Sequence, residues 1–177
     1  MKIFLDCGSH VGNIIKKIRN NYDKIYAWEC NDFCNNFNYG NNVIRYHDAV
    51  WIYDGEVEFN INSTDLSIQG HSIYSDKITG DLNSSKKVTC IDFSNWLKTH
   101  IKYNDFVTLK MDIEGAEYEV LKKCITDGTI NLINELYVEW HYNKIPSIGK
   151  HIHDKMITAL KNTHVKIFKE YHTINNL

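Results

Sequence analysis

The chain opens with an apolar run, Ile3-Phe4-Leu5, that ends in Asp6, breaks at Gly8 and gives way to helical spacing from Asn13. That order of strand, glycine turn and helix is the first unit of a longer alternation. Short runs rich in aromatic and β-branched residues alternate with segments of helical period, as in an α/β protein with a mostly parallel twisted sheet and helices on both faces. The pattern predicts strands over residues 2–6, 24–29, 43–48, 87–91, 105–112, 132–141 and 165–170. It predicts helices over 13–20, 93–100, 115–123 and 148–162, with a short one near 32–37. Asp92 is an expected N-cap for the 93–100 helix. Two stretches break the alternation. Residues 51–61 carry the turn Asp54-Gly55 between apolar runs, which reads as a hairpin or an added edge strand. Residues 62–86 are polar and form the longest irregular segment, of the kind that is usually functional in a compact domain.

Length and composition narrow the picture modestly. The 177 residues suit one domain spanning the whole chain, with 43% hydrophobic and 24% charged content. A formal net charge of −2 gives no basic surface for nucleic acid. No stretch approaches the length of a membrane span, and no signal peptide precedes the first strand. The five scattered cysteines, Cys7, Cys30, Cys34, Cys90 and Cys124, lack metal-ligand spacing and fit reduced thiols in a cytoplasmic protein.

Candidate chemistry begins at the first turn. Asp6, Gly8, Ser9, His10 and Gly12 form a loop of nucleotide-binding type, but a carboxylate at Asp6 repels a diphosphate. A ligand with an adenosine and a cationic amino end, S-adenosylmethionine (SAM), suits that loop. The acid and the missing G-x-G-x-x-G run together disfavour a nicotinamide-dependent dehydrogenase. Glu29 closes the second strand, where a carboxylate accepts both ribose hydroxyls; a solvated strand-end glutamate is the plainer alternative. Asn31 joins it or caps the next turn. Asp48 and Ala49 stand at the third strand end, where an adenine amino group needs an acceptor, although a turn aspartate serves as well there.

Two later strand ends bring more acids. Lys110 and Asp112 alternate onto one side of their strand, with Glu114 and Glu117 beyond, and ligands in open α/β sheets sit outside such carboxyl ends. Carboxylates clustered there act as general bases or hold a hard cation, with Asp112 and Glu139 the metal candidates. Glu117 reads more simply as an acid stabilising a helix start. Glu139 and His141 share one face of the next strand, and His141 is a second candidate proton acceptor. His71 lies in the irregular segment, where it could line an acceptor pocket.

These segments in this order resemble the FkbM-type SAM-dependent methyltransferases. The resemblance rests on Asp6-Cys7-Gly8-Ser9-His10-Val11-Gly12, on Ala27-Trp28-Glu29-Cys30-Asn31 and on Val138-Glu139-Trp140-His141. Its most specific part is Lys110-Met111-Asp112-Ile113-Glu114-Gly115-Ala116-Glu117. Cys30 stands where a proline is common in that family. The resemblance implies a Rossmann-like class I methyltransferase fold lacking its last strand. It further implies O-methylation of a hydroxyl on a sugar, glycan or similar small molecule. Asp112 or His141 would take the proton, while Lys110, Glu114 and Glu139 position the acceptor or a divalent metal. A non-catalytic SAM-binding subunit of a glycan- or metabolite-assembly complex is the alternative of another class.

Overall fold

The computed structural model describes residues 1–34, 40–67 and 70–168. Six strands form the main sheet: β1 (Lys2–Cys7), β2 (Lys24–Trp28), β3 (Val43–Tyr46), β7 (Phe106–Met111), β8 (Glu135–Val138) and β9 (Lys166–Phe168). They lie in the order β3-β2-β1-β7-β8-β9, and every ladder is parallel. A smaller sheet orders β4 (Ala49–Trp51), β6 (Ser84–Asp92) and β5 (Gly55–Ile61), with β6 in the middle. Four α-helices accompany them: α1 (Asn13–Ile18), α2 (Phe93–His100), α3 (Glu117–Thr126) and α4 (Gly149–Lys161).

The four inner strands are buried on both sides because helices cover both faces. On one face α1 packs Ile15 and Ile18 against Phe4, Ile25 and Ala27. On the other, α2, α3 and α4 pack against Ile3, Leu5, Leu109, Met111 and Leu136. Aromatic rings reinforce that second layer. Trp28 stacks on Tyr46 at 5.2 Å, and Trp96 of α2 meets both Trp28 and Tyr26 edge-on at 4.7 Å. Such tilted pairs add to the burial of area itself. The sheet is therefore the mostly parallel one that the hydrophobic pattern predicts, in the Rossmann-like form that the resemblance implies.

Several boundaries move, each for a local reason. The chain leaves the main sheet after Tyr46, so residues 47–48 form the link into β4, and Asp48 and Ala49 stand at that crossing instead of at the end of β3. Residues 51–61 do not close a hairpin, since β6 lies between β4 and β5 and pairs with both. The β6 strand starts at Ser84, earlier than expected, because its mostly exposed Ser-Ser-Lys-Lys start carries no apolar alternation. Helix α3 starts at Glu117, as Gly115 has φ +110° and no helix accepts that value. Asp92 does cap α2, its side chain accepting the Asn95 N–H at 3.0 Å. Parts of the short helix near 32–37 and of the strand over 165–170, together with any further strand in 169–177, lie outside the described residues.

At the centre of the sheet β1 and β7 run side by side, and the strand order reverses there. The Asp112 N–H donates to the Cys7 carbonyl at 3.0 Å, extending the ladder past both strands. Gly8 follows at φ +80°, and a Cβ there would lie 1.8 Å from the Asp112 carbonyl oxygen. Gly128 also has a positive φ, +75°, but a Cβ there would meet nothing within 4 Å. Gly8→Ala is therefore expected to cost at least about 3 kcal/mol, and Gly128→Ala only about 1–2 kcal/mol. Urea unfolding of both variants checks this, and equal losses would refute the close approach at Gly8.

Candidate active site

A cavity of about 200 Å³ opens over the carboxyl ends of β1, β2 and β7, where the strand order reverses and open α/β folds bind ligands. Asp6, Gly8, Ser9, His10, Glu29, Asn31, Asp48, Ala49, Lys110, Asp112 and Glu114 all line it. Gly12 does not. It turns the chain into α1 at φ 68°, its N–H bonded to the Ser9 carbonyl at 2.8 Å.

The first loop spends its amides on the protein. Gly8 and Ser9 N–H both donate to the Trp28 carbonyl, at 3.0 and 2.9 Å. The His10 N–H donates to Glu29 Oε2 at 2.8 Å, and the Asn31 N–H to Glu29 Oε1, also at 2.8 Å. Glu29 thus clamps the loops after β1 and β2 together. Each of its oxygens keeps a further lone pair for a ligand hydroxyl. Asn31 caps the following turn through Phe33 N–H and reaches the Leu66 carbonyl with its amide, at 3.1 and 2.9 Å.

Beneath that loop lies a buried ion pair. Asp6 and Lys110 are register neighbours on β1 and β7. Lys110 Nζ sits 3.1 Å from Asp6 Oδ1, donates to the Gly8 carbonyl at 2.7 Å and lies 3.7 Å from Asp112 Oδ2. At 3% exposure its ammonium is committed to the loop, away from the mouth of the cavity.

The second cluster stands where β7 and β8 end. His141 is wholly buried and does not line the cavity. Its backbone N–H and its Nδ1–H both donate to Glu117 Oε1, each at 3.0 Å. Glu117 is itself fully buried and accepts the Gly115 N–H on Oε2 at 2.8 Å. Burial alone would depress the imidazole pKa, but the carboxylates of Glu117, Glu139 and Glu114 outweigh it and raise it to about 10. Burial pushes Asp112 up to about 6 against the pull of Lys110, with the Glu139 charge adding to the rise. Contact with His141 outweighs burial at Glu139 and, helped by Lys144, holds it down at about 2.

Glu114 reaches this cluster through a strained turn, with φ 53°. The irregular segment holds it there. Ser72 Oγ donates to the Glu114 carbonyl at 2.6 Å, and the buried Lys77 ammonium lies 3.1 Å from Glu114 Oε2. His71 from the same segment is buried in the cavity wall, near Phe59. Spacing along the chain presents Glu117 as a helix-dipole acid and gives no sign of Lys77, because both contacts join residues far apart in sequence. All five cysteines are free thiols, and burial raises the pKa of each, so none is an activated nucleophile.

A parallel sheet of this order, with an acid-lined cavity at its switch point, has the Rossmann-like fold of a methyltransferase. The chain belongs to the methyltransferase FkbM domain family, whose model matches residues 6–167, and it is a methyltransferase by that membership. No curated protein and no solved structure matches it significantly. Among the described residues no helix is long and apolar enough to cross a membrane.

The Asp6–Lys110 pair makes the loop testable without any ligand. Lys110→Met leaves a buried carboxylate unpaired and is expected to cost about 3–5 kcal/mol. Adding Asp6→Asn should recover part of that loss, by more than about 1 kcal/mol relative to additivity. Urea denaturation of the two single variants and the double variant measures the coupling, and strict additivity would dissolve the pair.

Proposed function

We propose that residues 1–177 form one SAM-dependent O-methyltransferase domain, transferring a methyl group to a hydroxyl of a sugar, glycan or similar small molecule. One observation carries the choice of donor. The loop after β1 turns the Gly8, Ser9, His10 and Gly12 amides onto protein acceptors, where a pyrophosphate site would aim them at the ligand. The charged side chains that line the cavity are mostly carboxylates, from Asp6, Glu29, Asp48, Asp112 and Glu114, with Lys110 paired to Asp6 beneath the loop. Such a lining attracts a sulfonium with a cationic amine and repels a diphosphate.

On this reading Glu29 holds the ribose hydroxyls, Asp48 and Ala49 border the adenine, and Asp6 faces the amino-acid end. The acceptor hydroxyl lies at the other end of the cavity, beside Asp112 and Glu114. Its O–H proton passes to the carboxylate cluster that Asp112 leads. An oxygen lone pair forms the new bond to the methyl carbon as the carbon–sulfur bond breaks. That bond's electron pair stays on sulfur, and S-adenosylhomocysteine departs as a neutral thioether. Alignment in the cavity and proton removal are the two contributions the protein makes, the latter worth about 10²–10⁴ in rate. His141, buried behind the carboxylates with its Nδ1–H held by Glu117, orients them. The donor reading and family membership leave the acceptor open among hydroxyl compounds, and the weakly acidic chain is a poor match for nucleic acid.

Two measurements test this. Calorimetry with S-adenosylhomocysteine should show binding that Glu29→Ala weakens at least about 10-fold, since charge-assisted hydrogen bonds are lost. Transfer of a labelled methyl group from SAM to a panel of sugars and glycans should then be detectable. Asp112→Asn should lower turnover by about 10²–10⁴ while leaving donor affinity unchanged. Full turnover in that variant sinks the role of Asp112, and donor binding with no transfer to any acceptor favours a non-catalytic subunit.

A further inference from the structure

Four carboxylates converge on the single imidazole of His141. Glu117 takes its backbone N–H and its Nδ1–H, which fixes the ring plane and points Nε2 the opposite way. Nε2 then faces Glu114 Oε2 at 3.2 Å, Glu139 Oε1 at 3.6 Å and Asp112 Oδ1 at 3.7 Å. Yet this wholly buried nitrogen makes no hydrogen bond of acceptable geometry with any of them. A buried polar atom without a hydrogen bond, aimed into acids, calls for an explanation.

We propose that Asp112, Glu114 and His141 form a binding site for a divalent first-row cation such as Mn²⁺, at the acceptor end of the cavity. Ligand atoms of these three residues all lie within 4.8 Å of one another. Two donors bonded to one ion at about 2.1 Å stand about 3–4.2 Å apart in an octahedron, so small torsional adjustments close the set. Carboxylate oxygens suit Mn²⁺ as they suit magnesium, and the imidazole nitrogen shifts the preference toward the transition metal. Glu117 supplies the outer contact that metal-bound histidines almost always have, a carboxylate on the other ring nitrogen. Lys77 holds Glu114 by the same oxygen that faces His141, so uptake of the ion turns or shares that carboxylate. Asp112 and Glu114 also line the cavity, giving the ion an entry path and an acceptor-facing side. There the cation would hold the acceptor oxygen and make its proton easier to remove; only this catalytic role rests on the methyl-transfer reading, and binding itself does not.

The test titrates the full chain with MnCl₂ alone, following free Mn²⁺ by its paramagnetic resonance signal, with no donor or acceptor present. Saturable uptake of one ion per chain is expected. Asp112→Asn and Glu114→Gln should each weaken it at least about 10-fold, and Glu117→Gln by about 10–100-fold through the ring it orients. Glu119→Gln, on the exposed side of α3 beside Lys122, should leave uptake unchanged. Circular dichroism confirms that each variant is folded. Glu114 is partly exposed, so its variant keeps the test decisive if the Asp112 or Glu117 variant unfolds. No saturable uptake, or uptake indifferent to Glu114→Gln, overturns the proposal. S-adenosylhomocysteine binding without Mn²⁺ uptake removes the cation site alone, whereas Mn²⁺ uptake without nucleoside binding upholds the site and removes the donor reading.

Discussion

A buried ammonium needs anionic or carbonyl partners on every side that water would otherwise occupy. Lys110 finds Asp6 on the neighbouring strand, the Gly8 carbonyl at the start of the loop and Asp112 at the end of its own strand. Those three groups belong to both sides of the β1–β7 seam, the point where the sheet changes direction. One cation therefore fixes the loop that shapes the cavity over β1 and β2 and the acid, Asp112, that lines it at the end of β7. Gly8 is obligatory for the same reason, because the backbone must come down onto Asp112 for Lys110 to reach its carbonyl.

The cluster where β7 and β8 end is built by the same logic with the charges exchanged. Here the surplus is negative, and His141 sits under it as a keystone whose orientation Glu117 dictates. The Gly115 N–H closes the arrangement by binding the second oxygen of Glu117. The turn after β7, strained at Glu114 and opened at Gly115, is thus tied from below by α3 and from above by Ser72 and Lys77. Backbone strain of roughly 1–3 kcal/mol at one residue persists because so many contacts oppose its relaxation.

Much of this is legible in the chain. Alternation of apolar runs marks all six strands of the main sheet, and Asp92 marks the start of α2. The loop at Gly8, the acid at Glu29 and the Asp112–Glu114 pair are readable because strand ends in a parallel sheet are where ligands lie. The partners of these residues are not. Alternation puts Lys110 beside Asp112, but only the register of β7 against β1 turns it toward Asp6. Glu117 looks like an ordinary helix-start acid because its contact with His141 spans 24 residues. The second sheet is legible only in part, since strands at 87–91 and within 51–61 are predicted but their pairing is not. Its central strand, β6, begins in Ser-Ser-Lys-Lys, whose mostly exposed side chains leave no apolar signature.

The second sheet and the segment after β5 matter more than their irregular sequence suggests. Asn60 and Ser72 exchange backbone hydrogen bonds at 2.7 and 3.0 Å, which brings the segment back across the cavity. From there Ser72 and Lys77 grip Glu114, while Gly70, His71 and Ile73 supply the wall opposite the first loop. The end of the cavity over β1 and β2 has a geometry that follows from the sheet itself. The wall over the end beside Glu114 comes instead from a connection that the sheet does not dictate. In the proposed reading, a scaffold of this kind can keep its donor site while changing its acceptor through that connection, since loops tolerate substitution that strands do not. His71 is a buried imidazole in that wall, its pKa lowered by burial and by the neighbouring Lys86 and Lys77 charges, and in its neutral form it offers one donor and one acceptor to whatever ligand lies there.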